Sequence, residues 1–138
     1  MALLNIVSER DGIVSALRTN TSVYTATAFR TIDKYNPSFF QENKISQKTP
    51  ALFVQFSREG FQVVNSKGST INDLVFDIHV YSRVNDDEDR IYELHQIAKN
   101  ALLALAPRVV LDSSFSIGTN SNRYGESLTI RAIVPARP

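Results

Sequence analysis

The densest set of proton carriers and possible metal ligands in the chain is "NDDEDRIYELH", which runs Asp86-Asp87-Glu88-Asp89 and reaches His95 six residues later. A calcium loop starting at Asp86 needs a glycine at its sixth position and a bidentate glutamate at its twelfth; those positions are Ile91 and Ile97. A zinc site on one helix face needs a second ligand three or four residues from His95, and the only other histidine is His79. Acids at a helix start have a simpler use. They offset the positive end of the helix dipole, each contributing roughly 0.3 to 1 kcal/mol, and Asn85, Asp86 or Asp87 offers an oxygen to the first free N–H groups. No metal or cofactor is expected.

Catalysis by other routes finds no better support. There is no Gly-x-Ser-x-Gly elbow, neither histidine neighbours a plausible nucleophile, and "SKGST" lacks the leading glycine and the Lys-Ser order of a phosphate loop. Carboxylate pairs become informative only through pocket geometry. Arg123, Arg131 and Arg137 with Tyr124 make a modest basic and aromatic neighbourhood near the end of the chain. Fifteen basic against fourteen acidic residues leave +1, so no long-range pull on nucleic acid or anionic lipid is expected. The chain is read as a non-enzyme without sequence-specific nucleic-acid binding.

Residues that carry no chemistry must still be positioned, and composition bounds how. At 138 residues with 43% hydrophobic content the chain has the size and apolar mass of one compact domain, taken as 1–138. Zero cysteines exclude disulfides and thiolate chemistry together. No apolar run approaches a membrane span, and "MALLNIVSERDG" lacks the basic start of a signal peptide.

Periodicity then orders the elements. Leu3, Ile6, Val7, Ile13, Val14 and Leu17 fall on one arc and predict a first helix over residues 2 to 18, capped by Ser8 with Asp11 if it starts late. "VYTATAFRTIDK" favours a strand from Val23 to Lys34. The prolines of "NPSFFQENKISQKTP" bound a long excursion, "ALFVQFS" is a strand, and "EGFQVVNSKGS" reads as turn residues around a short second strand. In "INDLVFDIHVYSR", Leu74, Phe76, Ile78 and Val80 alternate with Val75, Asp77, His79 and Tyr81, the pattern of a sheet with helices on one face. Ile91, Leu94, Ile97, Ala98, Ala101, Leu102 and Leu105 predict a core-facing helix that Pro107 stops. A last hairpin turns at "TNSNRYG" and returns along Leu128, Ile130, Ala132 and Val134. The fold class is α+β: a single mostly antiparallel sheet with two α-helices packed on one face.

Some residues are left over for partners. Tyr92 and Leu103 lie within about 20 degrees of one another on the second helix, away from its core stripe. Phe39 and Phe40 stand in the long loop from Asn36 to Thr49, either tucked under the domain's own core or offered as a surface anchor. Arg123 and Tyr124 occupy the final turn, Thr119 to Gly125. These six are the candidate interface residues.

The stretch "FRTIDKYNPSFFQENKISQKTPALFVQFSREGF" resembles the middle of the phage Mu-type tail terminator, or tail-completion, family. That family shows a "TV-x-x-Y" strand end, a polar loop, then "PA-[VL]-[FL]-V-x-F", matched here by Pro50-Ala51-Leu52-Phe53-Val54-Gln55-Phe56 after the Tyr35 loop. A strand like "LVFDIHVYSR", a helix like "IYELHQIAKNALLAL" and a closing strand like "YGESLTIRAIV" follow in the family's order, so the likeness covers essentially the whole chain. The resemblance implies a tail-terminator-like fold and a structural virion protein with no catalytic residues. Such proteins form a ring, usually of six copies, at the head-proximal end of the tail tube. They stop tube polymerisation and present a surface to the neck, and in contractile tails to the last sheath ring. The implied partners are further copies of the chain, the tail tube protein, the tail sheath protein and the neck or head–tail connector proteins. The implied location is the tail–neck junction of the virion, after assembly in the host cytoplasm. Another neck or completion protein, or an unrelated binding module, is the alternative reading.

If the acids only cap a helix, replacing Asp86 and Asp87 with Ala costs roughly 0.5 to 2 kcal/mol in a denaturant titration. Zinc and calcium then leave the melting temperature unchanged. A metal-dependent rise abolished by His95→Ala would overturn the capping account.

Overall fold

The computed structural model describes residues 3–19, 28–40, 49–63, 67, 68, 70–83, 88–112, 117–122 and 125–136. Two helices, α1 (Ile6–Thr19) and α2 (Glu88–Leu103), accompany strands β1 (Thr31–Lys34), β2 (Ala51–Val63), β3 (Thr70–Tyr81), β4 (Val110–Leu111), β5 (Ile117–Asn122) and β6 (Gly125–Val134). A 3₁₀ turn covers Pro37–Phe40. The strands form one mixed sheet in the order β1-β2-β3-β6-β4, with β5 paired to β6 beside β4. Among the described residues only the β1–β2 pairing is parallel.

Strand β3 is the centre of the sheet, and its alternation sets the two faces. Leu74, Phe76, Ile78 and Val80 are all fully buried on one face. Their cross-strand partners include Phe56, Val54 and Leu52 on β2 and Val134, Ala132, Ile130 and Leu128 on β6, so the rows through Phe76, Ile78 and Val80 are apolar on that side, while Leu74 faces Glu59 on β2. Ile13, Val14 and Leu17 of α1 and Ile91, Leu94, Ala98, Ala101 and Leu102 of α2 complete the same cluster. Helix α1 lies over β1 and β2, and α2 over β3 and β6. Phe56 and Phe76, paired across the strands, meet edge to face at 5.8 Å between ring centroids, an arrangement that adds about 0.5 to 1.5 kcal/mol to area burial.

The helices begin and bury themselves differently from the sequence expectation. The cap of α1 is Asn5, whose side-chain oxygen accepts the Ser8 N–H at 2.9 Å, rather than the Ser8–Asp11 pair. Its buried face runs through Glu9, Ile13, Val14 and Leu17, while Leu3 and Val7 are exposed. A buried carboxylate requires a partner, and Arg108 supplies it at 3.5 Å from Glu9. That approach explains Gly12: a Cβ there would come within 3.0 Å of the Arg108 guanidinium. The glycine weakens the helix by about 1 kcal/mol relative to Ala and gives the guanidinium room. In α2 the predicted stripe is buried, with Ile97 only partly so; the helix ends at Leu103, and Leu105, in the turn that follows, is also partly buried.

Three other expectations change. Strand β2 does not stop after "ALFVQFS" but continues through Gly60 to Val63, because a bulge between Phe56 and Arg58 absorbs one residue and pairing with β3 resumes. Gly68, at φ +80°, is a turn residue of this hairpin. In the last hairpin Asn122 pairs with Gly125, so most of the expected Thr119–Gly125 turn is strand. Of the expected strand from Val23 to Lys34 only Thr31–Lys34 is strand; Ala28, Phe29 and Arg30 are not, and residues 23–27 lie outside the described residues.

Phe76→Ala is expected to cost about 3 to 5 kcal/mol, the range for truncating a fully buried aromatic, read from urea unfolding midpoints. A loss below about 1 kcal/mol would contradict its placement under the helices.

Candidate interface surfaces and the back of the sheet

The face of the sheet away from the helices is built from the odd-numbered residues of β3. Just after β1, Tyr35 stays tied to β2 by donating its N–H to the Val54 carbonyl at 2.9 Å, and its ring lies on this face, 5.7 Å from that of His79. Beneath it Ala51 and Phe53 are fully buried, with Tyr35 and Tyr81 packed against them. Phe53 and Tyr81 meet edge to face at 5.8 Å. Burial, with Tyr35 adding to it, raises the Tyr81 phenol above its ordinary value. Alternation in "INDLVFDIHVYSR" shows a mixed face here, but not that Tyr35 folds onto it.

Beside this small cluster runs a polar tie across three strands. The His79 Nε2 is 2.7 Å from the Gln55 Oε1 of β2, and its Nδ1 is 3.0 Å from the Thr129 Oγ1 of β6. In the neutral ring that satisfies both contacts, Nε2–H donates to Gln55 and Nδ1 accepts the Thr129 hydroxyl. Next along β3, Asp77 meets Arg131 at 3.3 Å, both side chains mostly buried. A histidine beside a hydroxyl is the start of a nucleophile–base pair, but the third group is an amide, and Thr129 is buried within β6. The arrangement suits a register lock.

The two histidines lie on opposite sides of the sheet: His79 on the face away from the helices and His95 on α2. Among the described residues no group of three or more His, Asp and Glu could hold a metal ion. Nor is any described helix long and apolar enough to cross a membrane. Arg131, one of the three arginines considered for nucleic acid, is committed to Asp77. Two surface clefts of about 300 and 290 Å³ share Arg18 at the α1–β1 edge. There the guanidinium is held by the Ile32 carbonyl at 2.7 Å and Asp33 at 3.3 Å.

Of the candidate interface residues, Tyr92 and Leu103 are 46% and 53% exposed on the outward side of α2. The surface between them is polar, with Gln96 donating to Asn100 at 2.8 Å. Phe39 and Phe40 end the 3₁₀ turn, and their side chains lie outside the described residues, as do Arg123 and Tyr124 entirely.

The surface that periodicity did not find is an arm. Pairing of β6 with β3 ends at Leu74, and β1 covers β2 only as far as Val54. Among the described residues the hairpin of Glu59–Val63 with Thr70–Asp73 therefore has no strand on either edge. On it Phe61 and Val63 are 63% and 66% exposed. Its root is held firmly: Asn72, buried, accepts the Leu4 N–H at 2.7 Å and donates to the Leu4 carbonyl at 3.0 Å and to Glu59 at 2.7 Å. The visible signal was "EGFQVVNSKGS", whose glycines read as punctuation around a short second strand or ribbon rather than as a continuation of β2.

In comparisons with known proteins, no family model and no curated protein sequence matches the chain.

Burial lowers His79 below the ordinary 6.5, opposed by the Asp77 charge. Burial also lowers His95, with Lys99 adding to it. Below about pH 6.5 the unfolded chain therefore takes up protons that the folded chain does not. Stability is full above that pH and falls as the pH drops from 6.5 through the folded values. His79→Gln should flatten the fall in urea midpoint between pH 7.5 and 5.5; an unchanged fall would show that His79 does not titrate as placed.

Proposed function

We propose that the chain is a tail terminator of the phage Mu type: a structural virion protein that forms a ring, of six copies, at the head-proximal end of the tail tube. In this role it stops tube polymerisation and joins the tail to the neck. What carries the reading is the block Pro50–Phe56 after the Tyr35 loop, followed by strand, helix and closing strand in the order that family shows. The fold is compatible with it, being α+β with a mostly antiparallel sheet under two helices. The residues with chemical potential are also engaged in holding the fold, His79 between Gln55 and Thr129 and Asp77 with Arg131. A protein of this kind works through its outer surfaces.

The partners in this reading are further copies, the tube protein, the sheath protein and the neck connector proteins. The place of work is the tail–neck junction, after assembly in the host cytoplasm. The loop from Asn36 to Thr49 is the first segment offered to them, since long loops in compact domains are more often functional than idle; of the expected Thr119–Gly125 turn, strand pairing leaves only the tip between Asn122 and Gly125 to serve as the second.

Changing Phe39 and Phe40 together to Ser separates interface from core. An interface role leaves the monomer nearly as stable and yields tubes of uncontrolled length, because aromatics concentrate binding energy at contacts. Inward packing costs the monomer about 3 to 5 kcal/mol per ring instead. A variant both stable and able to complete normal tails excludes this loop as the contact. Native mass measurement of intact tails should count six copies; one or twelve would sink the terminator reading.

A further inference from the structure

The outer side of β1 carries an arrangement that the terminator reading does not use. Among the described residues β1 is the last strand on that side of the sheet, with β2 as its neighbour. An open edge presents unpaired N–H and C=O groups on which a second strand can build. In a parallel ladder alternate residues turn both groups to the neighbour, and the residues between turn theirs outward. Tyr35 donates its N–H to the Val54 carbonyl at 2.9 Å, and Thr31 shares the Pro50 carbonyl with Arg30. Thr31, Asp33 and Tyr35 therefore face β2, while Ile32 and Lys34 face the open edge.

Both outward residues are already engaged. The Arg18 Nε donates to the Ile32 carbonyl at 2.7 Å, close to where the N–H of an added strand would sit. The Asp33 carboxylate accepts the Lys34 N–H at 2.8 Å. The same guanidinium meets that carboxylate at 3.3 Å. Ile32 belongs to the core under the helices, whereas Asp33 stands beside Phe53 on the other face. Arg18 leaves α1 on the Ile32 side, so its side chain reaches round the edge from one face to the other. An added strand would lie about 4.8 Å from β1, in the lane that the guanidinium fills. Space is otherwise present: the clefts of about 300 and 290 Å³ run along Thr31–Ile32 and Asp33–Lys34, and Arg18 lines both. Both side chains of the ion pair are partly exposed, a setting in which such pairs add little stability. Placement, rather than strength, is what distinguishes this one.

We infer that Arg18 and Asp33 form a latch that closes the outer edge of β1 to strand addition. Neighbours then join through other surfaces, and the sheet grows at β1 only with the latch open. The latch does not depend on the tail terminator reading.

Arg18→Ala opens the latch, and circular dichroism checks the fold. By sedimentation this variant should self-associate about tenfold more tightly than the unaltered chain, or more. In the associated state amide exchange should slow at Ile32 and Lys34, the outward residues, and stay as it was at Thr31 and Asp33. Adding Lys34→Pro should return association to the unaltered level. Proline on an edge strand removes an outward N–H without disturbing the ladder, and Asp33 before it is already extended. Should Arg18→Ala fail to fold, Asp33→Ala frees the Lys34 N–H by the other route, with the same expected rise and the same reversal by Lys34→Pro. Association unchanged in the folded variant overturns the latch. So does a rise that survives Lys34→Pro, since general loosening of the fold would be indifferent to one outward N–H.

Discussion

Everything else in the fold hangs on which way the side chains of β3 point. Leu74, Phe76, Ile78 and Val80 are the central row of the core that both helices complete, beneath α2 and beside the strands that carry α1. A slip of one residue would send that row to the other face and bring Asp77 and His79 under the helices. Burying a carboxylate and an imidazole there without partners costs several kcal/mol. The hydrophobic row therefore fixes register, and register fixes where every polar group falls.

The polar groups then reinforce the choice. On the far face His79 bonds its cross-strand neighbour Thr129 and reaches diagonally to Gln55, and Asp77 meets its own cross-strand neighbour Arg131 in the adjacent row. These bonds form only in the register that the apolar row selects, so the two faces specify the same alignment. On the helix side, Glu9 and Arg108 tie α1 to the segment after α2, and Gly12 makes room for the tie. Agreement between independent local preferences is what gives a sequence a single structure.

The legible parts of the sequence were those governed by periodicity. The α2 stripe and the alternation of β3 and β6 are local patterns, and burial follows them. What stayed hidden depended on contacts distant in sequence. Glu9 looks like a surface acid until Arg108 arrives beside it. Tyr35 looks like a loop residue until its ring packs against Phe53 and His79. Gly60 reads as a turn, yet the bulge after Phe56 carries β2 through it, and the exposed arm at Phe61 and Val63 was missed for the same reason. On α2, by contrast, 3.6-residue spacing placed Tyr92 and Leu103 away from the core, where the structure has them exposed.

The functional account rests on surfaces: a rigid sheet-and-helix body that offers an arm, a helix face and two loops to its neighbours. Its central claim is that this body is a ring subunit at the head-proximal end of a phage tail. Reconstruction of the tail–neck junction by electron microscopy tests that directly. The account predicts a sixfold ring between tube and neck whose subunit density fits β3 beneath α1 and α2. Density at that level which this fold cannot fill, or the chain found elsewhere in the particle, would contradict it.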